Sequence, residues 1–271
     1  MEIQWYPGHM ARAKRELKEI LPLLDLIIEV TDARLPFSGR NPELPGLLGK
    51  KARILLLNKA DLADPEVTAA WVKHYRTLGE AAMEFNARRG GNLSRLENLI
   101  KKEGEKILKR KPTLRLGVVG VPNCGKSSVL NRFVRRSAAR VGEKPGVTRG
   151  RQWVKRGRWE ILDTPGLLWP KIADQENGLK MALIGLIKPD LLNIEELVIY
   201  LLQWMQEHYP AELLNAYSLE QMDDPLAMLM AIGRYRGCLR KGGEVDLLRT
   251  ADLVWSDFRA GRLGRISLER P

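Results

Sequence analysis

The stretch Gly120-Val121-Pro122-Asn123-Cys124-Gly125-Lys126-Ser127 fits the pattern Gly-x-x-x-x-Gly-Lys-Ser, and the short aliphatic run 114–119 precedes it. A buried strand before this pattern and a helix after it are the context in which such a loop binds phosphate. Glycines let backbone N–H groups approach phosphate oxygens, and the start of the helix adds a partial positive charge. We therefore predict a phosphate-binding loop, in which Lys126 reaches the β- and γ-phosphates and the Ser127 hydroxyl binds Mg²⁺.

Two further segments complete the expected phosphate site. The motif Asp163-Thr164-Pro165-Gly166 follows a short strand at 159–162. Its carboxylate suits an outer-shell contact to Mg²⁺, and the Gly166 N–H suits the γ-phosphate. Thr148 lies between the two motifs, where its hydroxyl would join the Mg²⁺ shell only when the γ-phosphate is present. A bound nucleotide acts as a switch in this way.

A third motif, Asn58-Lys59-Ala60-Asp61, ends the aliphatic run 53–57. A carboxylate at Asp61 matches the N1–H and N2–H₂ donors of guanine, which adenine lacks, so the motif favours GTP over ATP. Lys59 would lie along the base, and Asn58 would link this loop to the phosphate-binding loop. A polar turn at a strand end is the alternative for the tetrapeptide taken alone.

The next expected strand, 82–85, is followed by Asn86 and Ala87, which are candidates to offer a backbone N–H to guanine O6. With these two, the residues expected to contact the nucleotide are Asn58, Lys59, Ala60, Asp61, Asn86, Ala87, Asn123, Cys124, Gly125, Lys126, Ser127, Ser128 and Gly166.

Strands alternate with helical patterns along residues 1–171, which indicates an α/β fold with a parallel sheet. Beyond about residue 172 the pattern changes to successive helices, among them 194–208 and 245–258. We therefore predict two domains, residues 1–171 with an N-terminal helix and residues 172–271.

The two predicted domains differ in charge. The first carries 34 Lys and Arg against 18 Asp and Glu, and the second carries 11 against 15. This surplus favours a polyanionic partner for the first domain, with a solvated basic surface as the alternative.

The composition excludes several classes of protein. Of 271 residues, 44% are hydrophobic, which suffices for a buried core and excludes disorder as the main state. No run approaches the roughly 18 apolar residues of a membrane span, and the N-terminus lacks a signal-peptide pattern. Cys124 and Cys238 are the only cysteines, too few for a disulfide framework or a zinc site. We expect a cytoplasmic monomer that does not contact membranes.

The order of the motifs is unusual, because the base-recognition motif precedes the phosphate-binding motifs, the reverse of the order in Ras-like GTPases. In this order the sequence resembles the circularly permuted GTPases of the YlqF/RbgA family over essentially its whole length. Besides the motifs above, the resemblance is carried by Trp5-Tyr6-Pro7-Gly8-His9-Met10, Asp32-Ala33-Arg34, Pro145-Gly146-Val147-Thr148, Arg236-Gly237-Cys238 and Gly264-Arg265. One departure is Asn86, where many GTPases have Ser, although the group needed there is a backbone N–H.

The resemblance implies a circularly permuted Ras-like P-loop GTPase domain followed by an all-α, RNA-binding C-terminal domain. It implies an enzyme that hydrolyses GTP and acts on a late precursor of the large ribosomal subunit. The implied partners are GTP, GDP, ribosomal RNA and that precursor, and the implied cofactor is Mg²⁺. The alternative is an RNA-binding assembly module that uses GTP only as a timer, with negligible intrinsic turnover.

The GTPase motifs do not supply the group that positions the attacking water, because Leu167 stands where Ras-like enzymes have Gln. We prefer His9, whose neutral imidazole would orient water or accept its proton near pH 7. A structural role at the start of the first helix is the alternative. The expected catalytic residues are His9, Lys126 and Thr148, and the expected Mg²⁺ contacts are Ser127, Thr148 and Asp163.

Asn123 suggests a second cation. In similar loops an Asn at this position helps to hold K⁺ beside the phosphates, where a cation does part of the electrostatic work of an arginine finger. A neutral loop residue is the alternative.

Basic residues flank the expected switch and recur in the second domain, where structured RNA would be bound through its phosphates. They are Arg135, Arg136, Arg140, Lys144, Arg149, Arg151, Lys155, Arg156 and Arg158, and then Arg234, Arg236, Arg240, Lys241 and Arg249. Ordering of Thr148 around Mg²⁺ would fix its neighbouring arginines, so the GTP form is expected to bind the precursor more tightly.

Overall fold

The structure is a computed structural model that describes residues 3–4, 7–89, 92–138, 153–164, 166, 171–172, 174–187, 193–219 and 224–271. The strands are β1 (Ile3–Gln4), β2 (Leu26–Asp32), β3 (Ala52–Asn58), β4 (Ala81–Glu84), β5 (Leu114–Gly120), β6 (Trp153–Arg156), β7 (Trp159–Asp163) and β8 (Lys171–Ile172). The helices are α1 (Pro7–Ile20), α2 (Leu44–Leu48), α3 (Pro65–Thr77), α4 (Leu93–Leu108), α5 (Lys126–Ala138), α6 (Gln175–Leu183), α7 (Ile194–His208), α8 (Pro210–Tyr217), α9 (Pro225–Tyr235) and α10 (Leu247–Ala260).

Six strands form one sheet in the order β4-β3-β2-β5-β7-β6. The first five are mutually parallel, and β6 pairs antiparallel with β7 at the edge. In the central strand β2, Ile28 lies opposite Ile54 on one side and Val118 on the other. All seven residues of β2 are buried, as in a strand covered by helices on both faces. The predicted α/β fold with a mostly parallel sheet is confirmed, and the edge strand β6 is an addition to it.

The first helix packs on the sheet with the face that its sequence predicts. Ala13, Leu17 and Ile20 are buried and share a cluster with Ile27 of β2 and Leu162 of β7. The strand expected from residue 23 begins three residues later, because residues 21–23 form one turn of 3₁₀ helix with a proline near its start.

The region after β8 is helical in its described residues, apart from loops and an isolated bridge between Leu239 and Val245. Helix α7 has the bounds that the sequence predicts, because Asn193 caps its first turn and Pro210 starts the next helix. The helix expected at 245–258 begins at Leu247, after the capping carboxylate of Asp246. Buried side chains of α7, α9 and α10 pack together and join the core of the sheet in one continuous cluster.

The last residues of the chain return to the sheet domain. The Leu268 N–H donates to the Arg34 carbonyl at 2.8 Å, and the Trp71 indole donates to the Glu269 carbonyl at 3.2 Å. The Glu269 carboxylate accepts the N–H groups of Phe37 and Ser38. The division at residue 172 stays a prediction, and the parts on either side of it are in contact through residues 261–271, which we call the C-terminal segment. Within the described residues, no helix combines the length and the apolar character needed to cross a bilayer.

Candidate nucleotide site

The parallel strands deliver the predicted motifs to one edge of the sheet, because their carboxyl ends all lie there. Asp32 ends β2, Asn58 ends β3, Gly120 ends β5 and Asp163 ends β7. The order of the strands in the sheet, and not their order in the chain, thus decides which motifs become neighbours. A permuted sequence builds the same site for this reason.

A cavity of about 440 Å³ opens at this edge. Its lining residues are Arg34, Asn58, Lys59, Asp61, Leu62, Asn86, Ala87, Arg88, Asn123, Gly125, Lys126, Ser127, Ser128, Ile184 and Arg259. The structure thus brings together ten of the thirteen predicted nucleotide contacts. The other three, Ala60, Cys124 and Gly166, are not part of this lining.

The phosphate-binding loop needs its glycines for space as well as for conformation. Gly120 has a φ of 148°, and a Cβ there would lie 2.3 Å from the Val30 carbonyl oxygen. Gly125 has a φ of 101°, and its Cβ would lie 2.3 Å from the Asn58 amide nitrogen. Both positions require a left-handed backbone and leave no room for a side chain. The loop is therefore folded around the neighbouring strand ends before any ligand arrives.

Lys126 occupies the centre of the predicted phosphate site. It is buried, and its ammonium donates to the Val121 carbonyl at 2.8 Å. A Cβ built on Gly166 would lie 3.0 Å from Lys126 Nζ, so the predicted switch glycine lies beside this ammonium. The two motifs predicted to share the γ-phosphate are thus adjacent.

Cys124 plays a packing role in this loop. Its side chain is fully buried, and burial raises the pKa of the thiol. Since a thiolate is the reactive form of cysteine, this residue is chemically inert.

Asn58 links the base-recognition loop to its two neighbours, as its position predicts. Its amide nitrogen donates to the Cys124 carbonyl at 3.0 Å, and its amide oxygen accepts the Ala87 N–H at 3.1 Å. The second bond affects the prediction that Ala87 offers its N–H to guanine O6, because this N–H already donates to Asn58. Guanine O6 would have to displace Asn58 to use it.

Lys59 bridges the base-recognition and phosphate-binding loops. It has a φ of 60°, and its ammonium donates to the Asn123 carbonyl at 2.8 Å. The same ammonium lies 2.9 Å from the Asp32 carboxylate. These two contacts hold its aliphatic stem along the cavity wall, consistent with the prediction that it lies along the base.

A buried ion pair supports Lys59 from below. The Arg34 guanidinium contacts both carboxylate oxygens of Asp32, at 3.0 and 2.9 Å. Burial opposes the charged form of Asp32, but the Arg34 and Lys59 cations outweigh it and hold the pKa of this carboxyl well below its usual range. Arg34 Nη1 is buried without a hydrogen-bond partner, and the guanidinium lies over the Phe258 ring of α10 at 5.4 Å.

The helical domain contacts both nucleotide loops. Arg265 donates to the carbonyls of Ala60 and Ala63, each at 2.9 Å. The Asn123 side-chain amide donates to the Gly185 carbonyl at 2.9 Å. The predicted base-recognition and phosphate-binding loops therefore both contact the helical domain.

Sequence reasoning missed five lining residues, Arg34, Leu62, Arg88, Ile184 and Arg259. Arg34 belongs to a segment that carries the family resemblance, but no role was attached to it. Ile184 and Arg259 have no local signal, because they reach the cavity only through packing of the helical domain.

Several predicted residues lie outside the described residues or side chains. Thr148 and Leu167 are not described, and for His9 and Asp163 only the backbone is, in α1 and at the end of β7. Their predicted roles in water positioning and Mg²⁺ binding stay predictions. Ser127 is described and lines the cavity, where its hydroxyl is an oxygen donor of the kind that Mg²⁺ prefers.

Several of the predicted RNA-contacting cations also have partners within the chain, among them Arg156 and Arg158. Arg156 is bonded to the Glu97 carboxylate and lies over the Phe133 ring. Arg158 donates to backbone carbonyls at the end of α4 and in the turn after it. These contacts help to fix β6 and the turn between α4 and β5, and RNA contact by the two guanidinium groups stays a prediction.

Known proteins share both the sequence and the fold of this chain. A family model described as a 50S ribosome-binding GTPase matches residues 115–230. The ribosome biogenesis GTPase A of Bacillus cereus is 41% identical over 280 residues, covering 100% of this chain and 95% of that protein. The chain belongs to the ribosome biogenesis GTPase A family.

Other members and relatives agree. Mitochondrial ribosome-associated GTPase 1 of Mus musculus is 34% identical, over 98% of this chain and 90% of that protein. The crystal structure of GNP-bound YlqF from T. maritima aligns with a TM-score of 0.66 and 28% identity, covering 96% of this chain and 98% of that one. The resemblance stated from the motif order is confirmed, and as a family member the chain is an enzyme that hydrolyses GTP.

Proposed function

We propose that this GTPase acts on a precursor of the large ribosomal subunit and that bound nucleotide controls how its helical domain meets ribosomal RNA. The observation that carries the proposal is the pair of contacts between the helical domain and the two nucleotide loops, at Asn123 and Gly185 and at Arg265 and Ala60. Any rearrangement of either loop on nucleotide binding would alter these contacts. The match to a 50S ribosome-binding GTPase model supports the choice of particle.

Magnesium fits the residues at the phosphate end of the cavity. Ser127 supplies a hydroxyl beside the buried Lys126 ammonium, and we propose Thr148 and the Asp163 carboxylate as the remaining contacts. When bound, the ion would offset charge on the β- and γ-phosphate oxygens. The chain itself contributes Lys126, which neutralises the same oxygens, and the loop N–H groups that orient them.

Asn123 is a suitable ligand for K⁺ in the present geometry. Its amide nitrogen donates a hydrogen bond to the Gly185 carbonyl at 2.9 Å. The amide oxygen therefore lies on the side of the amide group away from this bond. An oxygen is the atom that an alkali cation requires. We propose that the helical domain, through Gly185, orients Asn123 for this purpose.

His9 is our proposal for the residue that positions the attacking water. It lies on α1, which begins at Pro7. Strand β1 lies before this helix and pairs with β8, so the N-terminal segment is held beside the connection between the two domains. Leu167 offers no hydrogen-bonding group that could replace it.

The RNA-contacting surface would include the exposed cations of the helical domain. Arg234, Lys241 and Arg249 are exposed, whereas Arg236 is paired with Asp257 at 2.9 Å. Exposed Lys and Arg side chains neutralise RNA phosphates, and this contribution to binding weakens as the salt concentration rises.

The test is co-sedimentation of the protein with large-subunit precursors at several salt concentrations. We expect more protein in the pellet with a non-hydrolysable GTP analogue than with GDP, and a steep loss with added salt. Equal binding in the two nucleotide states, or binding to mature small subunits only, would refute the proposal. GTP turnover measured with the same particles separates an active hydrolase from an RNA-binding module in which GTP is only a timer.

A further inference from the structure

One wall of the nucleotide cavity comes from the helical domain. Ile184, at the end of α6, and Arg259, near the end of α10, line the cavity opposite residues of the GTPase domain. Ile184 is buried and serves as packing, whereas Arg259 is exposed. A cation at the mouth of an anion-binding cavity requires an explanation, since nothing in the nucleotide motifs calls for it.

Arg259 is held in place by its neighbours. Its guanidinium lies over the Trp255 ring, 4.7 Å from the ring centroid, and the Trp255 indole donates to the Leu183 carbonyl at 3.1 Å. Gly185 has a φ of 74°, and a Cβ there would lie 3.2 Å from three guanidinium atoms. The guanidinium thus fits between an indole and a backbone position that has no side chain, so its direction is set before a nucleotide arrives.

Arg259 also differs from nearby arginines in whether a carboxylate neutralises its charge. Arg236 and Arg262 both pair with the Asp257 carboxylate, at 2.9 and 2.5 Å. For Arg259, no carboxylate partner is present among the described residues. Among the described residues that line the cavity, Asp61 is the single carboxylate, and base recognition requires it.

Arg259 lies between the phosphate-binding loop and the base-recognition loop. Gly185, whose added Cβ would lie 3.2 Å from the guanidinium, accepts a hydrogen bond from the Asn123 amide at 2.9 Å. Gly261 lies two residues beyond Arg259, and a Cβ built on it would lie 2.8 Å from a methyl group of Leu62. Leu62 directly follows Asp61 in the sequence. In a guanine nucleotide, the ribose and the α-phosphate join the base to the β- and γ-phosphates. Of these two linking groups, only the α-phosphate is negatively charged.

We propose that Arg259 binds the α-phosphate of the bound guanine nucleotide. A guanidinium presents two parallel N–H groups that match two oxygens of one phosphate, and its charge strengthens both hydrogen bonds. The helical domain thereby becomes part of the nucleotide site in the GDP state and in the GTP state alike. This inference depends on guanine-nucleotide binding in the cavity and not on the ribosomal partner.

The test compares Arg259→Gln, Arg259→Lys and the unmodified chain in equilibrium binding of fluorescent GDP and of a fluorescent non-hydrolysable GTP analogue. Arg259→Gln retains the length of the side chain and removes its charge. We expect about tenfold weaker binding of both nucleotides, with an intermediate loss for Arg259→Lys. Arg270→Gln is the control, because Arg270 is an exposed cation of the same domain that does not line the cavity.

Three results would overturn the inference. Unchanged affinity for both nucleotides would show that Arg259 does not contact them. A loss confined to the GTP analogue would place the contact at the γ-phosphate. Faster hydrogen exchange at residues 184–187 of the nucleotide-free Arg259→Gln variant would show that the domain had moved, and the weaker binding would then be indirect. Failure of the unmodified chain to bind either nucleotide would instead count against the cavity as the nucleotide site.

Discussion

Replacing Asp32 by Asn tests whether the buried ion pair beneath Lys59 supports both the fold and base recognition. The change keeps the size of the side chain and removes the charge that two cations share, Arg34 at 2.9 Å and Lys59 at 2.9 Å. Arg34 is 2% exposed, so most of its side chain stays buried when its partner is lost. Breaking one partner of such a buried pair costs about 3–5 kcal/mol of unfolding free energy.

Urea unfolding followed by circular dichroism measures this change, with the slope of the transition checked for constancy. The matched control is Glu16→Gln, which removes an ion pair of similar length, 2.8 Å to Arg12, between side chains that are 40% and 73% exposed. We expect the control to change the unfolding free energy by less than about 0.5 kcal/mol. A loss below about 1 kcal/mol for Asp32→Asn would refute the reasoning.

The same variant has a defined pH dependence. Arg34 and Lys59 depress the pKa of Asp32 in the folded state, so its contribution is complete above the unfolded pKa of about 4 and is lost as pH falls towards the folded value. The difference in unfolding free energy between the two proteins should be equal at pH 7 and pH 5 and should shrink below about pH 4. A difference that shrinks between pH 7 and pH 5 would mean that another group is responsible.

Three further outcomes follow from the site. His9→Ala should lower GTP turnover at least about tenfold with and without large-subunit precursors, and unchanged turnover in both assays would remove His9 from the mechanism. Turnover of the unmodified chain should be faster in K⁺ than in Na⁺, with Asn123→Ala abolishing the difference; equal rates in the two salts would refute a cation site at Asn123. Arg265→Ala, which loses two hydrogen bonds to the base-recognition loop, should speed GDP dissociation about tenfold in stopped-flow displacement, whereas Arg110→Ala, at an exposed turn, should not. Identical dissociation rates for the two variants would show that the loop does not depend on the helical domain.

The parts of the fold that could be predicted from sequence are those with local signals. The central strands are short aliphatic runs, and the phosphate-binding loop follows one of them, so β3, β5 and α5 are predictable from neighbouring residues. Helix α7 is bounded by a capping Asn193 and by Pro210. Strand β6 has no such signal, because three of its four residues are only partly buried, Lys155 is exposed, and the strand gains its partner, β7, from tertiary pairing.

The residues of the site likewise fall into those that local motifs predict and those that only tertiary packing brings to the cavity. Ten lining residues belong to motifs whose spacing encodes their chemistry, and they were predictable. Arg259 and Ile184 reach the cavity through the packing of α6 and α10, and Arg265 reaches Ala60 across 205 positions of sequence. No pattern within a single element records such contacts. The partners of Arg156 and Arg158 could not be predicted for the same reason, since Glu97 and the end of α4 become their neighbours only in three dimensions.

The long sequence separation between Arg265 and Ala60 has a consequence for how the protein is made. Synthesis proceeds from the N-terminus, so the guanine-binding loop emerges well before the residue that covers it. At about 5–20 residues per second, the 205 positions from Ala60 to Arg265 take about 10–40 s to translate. During that interval the nascent chain has β2 and β3 but lacks Arg265, whose hydrogen bonds hold the base-recognition loop. We therefore expect tight retention of nucleotide to begin only when the helical domain has been synthesised, and we expect an incomplete chain to release GTP faster than the finished protein does.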